Sequence, residues 1–221
     1  NHVSATGQNL RFAIGPVVLS TDTTIVSGDP HISFANGGTA DFRGKHRRYF
    51  AFVSSPGYQF APYFQEADFW YDSPVGVKQL VHGTFMTKAS WRVRTSSGAQ
   101  LVITSDAMKP GELDVVRVLP TARGGAERTA MGRWEHREID EVQIDTRQLT
   151  ASVKSAAWLV NITSKPIYGL TLPLLNATHV HGRWAVDQRR FDLMIHGTFP
   201  QPDAHGIVGQ SYQDSKVRNG K

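Results

Sequence analysis

The sequence predicts an all-β fold, an antiparallel β-sandwich of many short strands. Three observations predict it. Apolar and polar residues alternate in short segments, as in Leu10-Phe12-Ile14 and in Trp91 and Val93 against Arg92 and Arg94, which is the two-residue period of a half-buried strand. Turn signatures recur about every 8–12 residues, the rhythm of sandwiches and barrels. No window holds a helical period over three turns, and no internal repeat is visible.

Residues 1–22 read as an N-terminal extension that carries one strand around Leu10, Phe12 and Ile14. Thr23 to Val26 leads into a turn at Gly28. Ile32 and Phe34 alternate, Asn36-Gly37-Gly38 marks a hairpin, and Ala40 and Phe42 start the return strand. Tyr49–Ser54 and Tyr58–Phe64 flank the turn Ser55-Pro56-Gly57. Phe69-Trp70-Tyr71 reads as a separate strand ending at Asp72-Ser73-Pro74. Leu80–Met86 and Trp91–Arg94 are the next pair, and Gln100–Thr104 and Leu113–Val118 follow around Pro110-Gly111.

Residues 120–128 are the most loop-like stretch and read as a long loop rather than a linker between domains. Strands are then expected at Met131–Trp134, Glu141–Ile144, Leu149–Val153, Ala157–Ile162, Tyr168–Leu172, Trp184–Val186 and Phe191–Ile195. Residues 23–214 are thus expected to form one β domain and 215–221 a polar tail. Phe34, Phe42, Phe50, Phe52, Trp91 and Trp158 fall on the apolar phase of their strands and are the expected core aromatics.

Composition narrows the chemistry. The chain has 221 residues, a formal charge of +5 and no cysteine. That length can bury a core without covalent staples. The missing cysteines remove disulfide scaffolds, thiolate zinc sites and cysteine nucleophiles. The basic balance suits anionic polysaccharide, nucleic acid or a membrane surface. Lys45-His46-Arg47-Arg48 reads as a solvated hairpin tip. No basic face interleaves with aromatics in the manner of single-strand binders, so nucleic acid is not an expected partner. No stretch reaches the roughly 18–20 apolar residues of a membrane span. The chain opens with Asn1, as expected for a mature secreted product whose signal segment has been removed.

The densest chemistry lies in Gly28-Asp29-Pro30-His31. Gly28 frees the backbone for a turn. The Asp29 carboxyl can attack its own carbonyl carbon. The Asp29–Pro30 C–N bond then breaks, Pro30 leaves as a secondary amine carrying a proton, and water opens the cyclic anhydride to leave a C-terminal Asp29. His31 is placed to supply or shuttle that proton. The same four residues also make an ordinary turn.

Downstream stand Phe42-Arg43-Gly44, the aromatic strand Tyr49–Val53 and, near the other end, His205-Gly206-Ile207-Val208-Gly209-Gln210. In this order the motifs resemble the von Willebrand factor type D domain. They also resemble the related C-terminal region of inter-alpha-trypsin inhibitor heavy chains, where a His-Gly-x-x-Gly-Gln turn recurs. The resemblance runs from about Val26 to Ser211, and its specific motifs are the two ends. It implies a β-sandwich with turn positions at Gly28, Gly44, Gly206, Gly209 and Gln210, and an extracellular structural or adhesive role without enzymatic turnover. It also implies cleavage at Asp29–Pro30, after which the new C-terminus can be esterified or cross-linked. Type D domains of animals are rich in disulfides, so cysteine-dependent multimerisation does not carry over. A calcium site built from a late acidic loop would have only Asp214 after Gly209 to use, and no other cofactor is expected.

Other candidates are sparser. His179 and His181 would share one face of a strand, half of a metal site, with His82, His196 and His205 as further ligands. Asn161-Ile162-Thr163 and Asn176-Ala177-Thr178 match the glycosylation pattern, with Asn176 better placed than Asn161. Glu135, Glu138, Asp140 and Glu141 alternate with Arg133, His136 and Arg137, as on a solvated hairpin. No nucleophile-elbow pattern is present. Three functions are therefore expected: a structural or adhesive module that self-associates or binds matrix proteins through aromatics such as Trp70 and Tyr71; a self-cleaving module; or a binder or processing enzyme of anionic polysaccharide using the Arg92 and Arg94 face.

Overall fold

The structure, a computed structural model, describes residues 23–28, 30–72, 78–120, 125–167, 189–198 and 200–213; within residues 68–72 and 78–81 it describes the backbone alone. The described residues form fifteen strands and no α-helix. They are β1 Thr23–Ser27, β2 His31–Ser33, β3 Thr39–Asp41, β4 Arg48–Tyr49, β5 Val53–Ser55, β6 Tyr58–Asp72, β7 Lys78–Arg94, β8 Gln100–Asp106, β9 Leu113–Val118, β10 Ala126–Met131, β11 His136–Ile139, β12 Val142–Thr146, β13 Thr150–Lys154, β14 Trp158–Pro166 and β15 Arg189–Gly197. Among the described residues a 3₁₀ turn also covers Gly209–Tyr212.

Every strand pairing among the described residues is antiparallel. The first sheet runs β11-β12-β13-β14-β15-β1-β2-β3, and the second runs β10-β9-β8-β7-β6-β4, with β5 also on β6. The two sheets pack face to face as a sandwich. Phe191, Leu193 and Ile195 of β15 and Val160 and Ile162 of β14 point inward from one side. Phe60, Trp91, Leu101 and Ile103 point inward from the other, and all belong to one buried cluster. Trp158 joins the layers: its ring stacks on Tyr58 at 6.1 Å, and its Nε1 donates to Ser55 Oγ at 2.9 Å.

The all-β sandwich expected from alternation and turn spacing is the observed architecture. Several strand limits differ. Phe69-Trp70-Tyr71 and Leu80–Met86 are not separate strands. They are the far ends of β6 and β7, one hairpin ladder running from Tyr58 opposite Val93 to Asp72 opposite Lys78. The polar stretch Gln65-Glu66 does not interrupt the ladder, because backbone groups pair whatever the side chains do; a single irregularity falls between Tyr63 and Phe64. Lys45–Arg48 is not a hairpin tip. It carries the chain from β3 in one sheet to β4 in the other. The expected strand at Met131–Trp134 ends at Met131, and Trp134 lies in a turn at φ +67°, its ring capped by the Arg147 guanidinium at 5.7 Å. Within 120–128, Ala126–Arg128 already belong to β10, which returns along β9 in the same sheet.

Phe52, Trp91 and Trp158 are buried as expected. Phe34, Phe42 and Phe50 are only half-buried and pack on the rim of the core. Phe42 and Phe50 meet Phe64 edge-on at 5.4 Å, a geometry rings prefer. None of the three lies mid-strand: Phe34 is in the β2–β3 hairpin, Phe42 follows β3 where the chain leaves the first sheet, and Phe50 lies between β4 and β5 in the second. The strands expected at Leu10–Ile14, Tyr168–Leu172 and Trp184–Val186 lie outside the described residues.

Candidate functional site

The Gly28–His31 motif is a hairpin connection. Ser27 of β1 lies opposite His31 of β2, so three residues make the loop. Gly28 takes φ +74°, a region that glycine enters without penalty. Its N–H donates to Asp192 Oδ1 at 3.3 Å, and Asp192 is held by Lys165 at 2.8 Å and Arg190 at 3.3 Å. Pro30 is buried, and its carbonyl accepts the Phe42 N–H at 2.9 Å. The His31 ring folds back over the loop: a Cβ added to Gly28 would stand 3.5 Å from His31 Cδ2. His31 Nδ1 pairs with Asp41 Oδ1 at 2.6 Å, which turns Nε2 away from that partner. Asp29 lies outside the described residues. The loop is thus pinned before and after it, and the geometry brings His31 to it.

The late motif packs against the aromatic segment around Phe52. His205 and Ser54 exchange backbone hydrogen bonds at 2.7 and 2.9 Å, Ile207 N–H donates to Ala51 O, and Val208 and Gly209 N–H both donate to Phe52 O. Gly206 sits at φ +95°, and a Cβ there would come within 2.7 Å of the Ala51 carbonyl oxygen. Gly209 is buried and opens the 3₁₀ turn, while the Gln210 side chain faces outward. Gly44 has no room for a side chain because the Phe64 ring occupies the space, and its N–H donates to Thr84 Oγ1 at 3.2 Å. The two motif ends meet through Tyr212. Its hydroxyl accepts the Thr24 N–H of β1 at 3.1 Å and donates to Ile195 O at 2.6 Å.

The remaining candidates are dispersed. His179, His181 and Asn176 lie outside the described residues. His82 is on β7, His205 is in the late turn, and His196 is on β15, where burial pulls its imidazole below the ordinary range. Among the described residues no group of three or more histidines and carboxylates converges on a metal position. Asn161 lies mid-strand in β14, paired on both sides in the interior of a sheet. Among the described residues no helix is long and apolar enough to cross a membrane. Trp70 and Tyr71 lie in β6, and their side chains are outside the described set.

The acidic hairpin is more than a solvated one. Asp140 and Glu141 form its two-residue turn, both at positive φ. Their carboxylates cross to the other sheet. Asp140 accepts from Ser97 Oγ at 2.7 Å and from Arg117 at 2.8 Å, and Glu141 accepts from the N–H and Oγ of Ser96 at 2.7 and 2.6 Å. These bonds hold the Asp140 carboxyl below the usual carboxylate range, Ser97 first and Arg117 next. They clamp the β11–β12 turn onto the β7–β8 turn, a partnership that local charge patterning does not reveal.

The outer face of the second sheet collects the surface chemistry. Arg92 and Arg94 point outward there, as expected from their alternation with buried Trp91 and Val93. One cross-strand row reads Tyr49, Tyr63, Lys88, Asp106 over β4, β6, β7 and β8. The Tyr49 and Tyr63 rings pack at 4.9 Å, Lys88 Nζ lies 6.0 Å from the Tyr63 centroid, and Lys88 pairs with Asp106 at 3.4 Å. Tyr49 is 51% exposed. No signal within a single strand predicts this row, because it forms only through the register of four strands. No protein-family model matches the chain, and no curated protein matches it.

Proposed function

We propose that this chain is a non-enzymatic extracellular structural or adhesive module that engages its neighbours through the outer face of the second sheet. One observation carries this reading: an exposed Tyr49, packed on the half-buried Tyr63, stands near Lys88, with Arg92 and Arg94 further along the same face, on a sheet braced by the core behind it. Large aromatics exposed on a rigid surface, with cations beside them, favour binding at low entropic cost. The edges favour it less. β11 carries His136, Arg137 and Glu138, and β10 carries Glu127 and Arg128; charged edge strands discourage strand-to-strand addition. The resemblance of Gly28–His31 and His205–Gln210 to von Willebrand type D domains supports the extracellular setting. Sedimentation velocity over a range of concentrations tests self-association, and co-sedimentation with insoluble matrix polysaccharides such as cellulose, chitin and alginate gel tests adhesion. Binding to alginate alone, weakened by salt, would favour the anionic polysaccharide reading through Arg92 and Arg94.

A second reading rests on the hairpin loop. The His31 ring over Gly28, fixed by Asp41, and the anchoring of Gly28 and Pro30 favour a single self-cleavage at Asp29–Pro30. The fragments would stay together, because β1 pairs with β15 as well as with β2.

A further inference from the structure

Beside the tyrosine pair, the outer face of the second sheet carries an open groove of about 430 Å³, within the range of about 300–1,000 Å³ typical of small-ligand sites. Tyr49 forms one wall. Its ring is half exposed and is backed by Tyr63 at 4.9 Å, so it offers a flat apolar face in a fixed orientation. The rest of the groove is mixed: Leu113, Ala130 and Met131 add apolar surface, and the remaining lining is polar. Lys88 and Asp106 contribute a paired cation and carboxylate, Thr104 adds a hydroxyl, and Asp114 is paired with Arg128 at 3.2 Å. Lys109 and Glu112 close the far side.

The charges balance. In the lining Lys88 and Lys109 stand against Asp106, Glu112 and Asp114, and Arg128, just outside it, pairs with Asp114. A strongly anionic or cationic ligand therefore gains little from the groove as a whole. A lining of alternating donors and acceptors rewards a ligand with many hydroxyls, each able both to donate and to accept. A planar ring in one wall rewards a ligand with a C–H face. A pyranose has both properties: axial C–H groups on one face and hydroxyls around its edge. An apolar ligand would leave the paired charges desolvated without new partners, which is costly. An extended peptide would bring backbone groups but no rigid apolar face to lie on Tyr49.

We infer that this groove binds a neutral pyranose unit of a glycan, with Tyr49 stacking on the sugar face and Lys88, Asp106 and Asp114 meeting its hydroxyls. The inference rests on the adhesive reading of the same surface and gives it a ligand class.

The test titrates neutral oligosaccharides (cello-, manno-, xylo- and galacto-series) and acidic ones (oligogalacturonate and heparin) into the ¹⁵N-labelled full chain. Amide shifts around Tyr49, Thr104 and Asp106 are followed in wild type, Tyr49→Ala, and the double variant Arg92→Ala/Arg94→Ala. The expected result is a shift with at least one neutral series. Tyr49→Ala should weaken it by about tenfold, the effect of losing one stacked aromatic. Circular dichroism checks that both variants stay folded, as exposed positions should allow. No shift with any neutral sugar overturns the inference. Binding of acidic sugars alone, lost in the arginine variant, overturns it while leaving the adhesive reading in place. The adhesive reading fails separately, if the wild type neither self-associates nor pellets with any insoluble matrix.

Discussion

The Tyr212 hydroxyl accepts the backbone N–H of Thr24 at 3.1 Å and donates to Ile195 O at 2.6 Å, although tyrosine and threonine stand 188 positions apart in the chain. The tyrosine is fully buried and meets Trp158 edge-on at 5.0 Å. It ends the late Gly209–Tyr212 turn, and Thr24 belongs to the strand that leads into the Gly28 loop. One side chain thus ties the two most distinctive stretches of the sequence into a single core.

Tyr212→Phe keeps the ring and removes both bonds. A buried donor and a buried acceptor are left unsatisfied, at a cost of about 1–3 kcal/mol. Urea unfolding of wild type and variant measures this. An unchanged midpoint would show that water or another group replaces the hydroxyl.

Gly206 and Gly37 form a matched pair. Both sit at positive φ, but a Cβ on Gly37 meets nothing within 4 Å, whereas one on Gly206 collides with the carbonyls of Ala51 and Phe52. Gly37→Ala should therefore cost only the left-handed penalty of about 1 kcal/mol. Gly206→Ala should add displacement of packed backbone and cost about 2–5 kcal/mol. Equal melting temperatures for the two variants would remove the late turn from the core.

Acid should weaken the clamp between the sheets. Hydrogen bonds from Ser97 and then Arg117 hold the Asp140 carboxyl below its ordinary range, and the Gly132 N–H does the same for Glu135. A carboxyl lowered in the folded state stabilises fully above its unfolded value, about pH 4, and that contribution is lost as pH falls through the lower folded value. Asp140→Asn retains a residue that tolerates positive φ and removes the charge. Its stability should fall less than the wild type's between about pH 4 and pH 2. Parallel curves would show that the carboxylate adds nothing.

The hairpin loop makes a chemical prediction. Incubation near pH 5 should yield fragments ending at Asp29 under denaturing mass spectrometry, with less at about pH 8, where carboxyls are ionised. Asp29→Ala should abolish them, and Asp41→Ala, which frees the His31 ring, should slow their appearance. Native mass spectrometry should still show one particle. An intact wild-type chain at both pH values would leave Gly28–His31 as a structural turn.

Much of the fold is legible in the sequence because sandwich strands announce themselves locally. Trp91 and Val93 alternate with arginines, and Asn36-Gly37-Gly38 marks its hairpin. What local reading misses is set by tertiary pairing. Gln65-Glu66 looks like a break, yet lies inside a ladder because β7 runs its full length beside it. Phe42 and Phe50 look like core residues, but they lie in the connections after β3 and between β4 and β5 and are only partly buried. For the site, Gly28 and Gly206 are readable because glycine at a turn has few other uses. The Asp140–Arg117 clamp and the Tyr49–Tyr63–Lys88–Asp106 row depend on residues distant in sequence and become visible only with the register.

The adhesive outer face is the central claim, and co-sedimentation tests it most directly. Wild type and a Tyr49→Ala/Arg92→Ala/Arg94→Ala variant, matched by circular dichroism, are spun with the insoluble polysaccharide panel and alone over a concentration range. The account predicts that the wild type pellets with at least one matrix or sediments as an assembly, and that the variant loses this by about tenfold or more. A variant that behaves like the wild type, or a wild type that stays monomeric and unbound throughout, would contradict it.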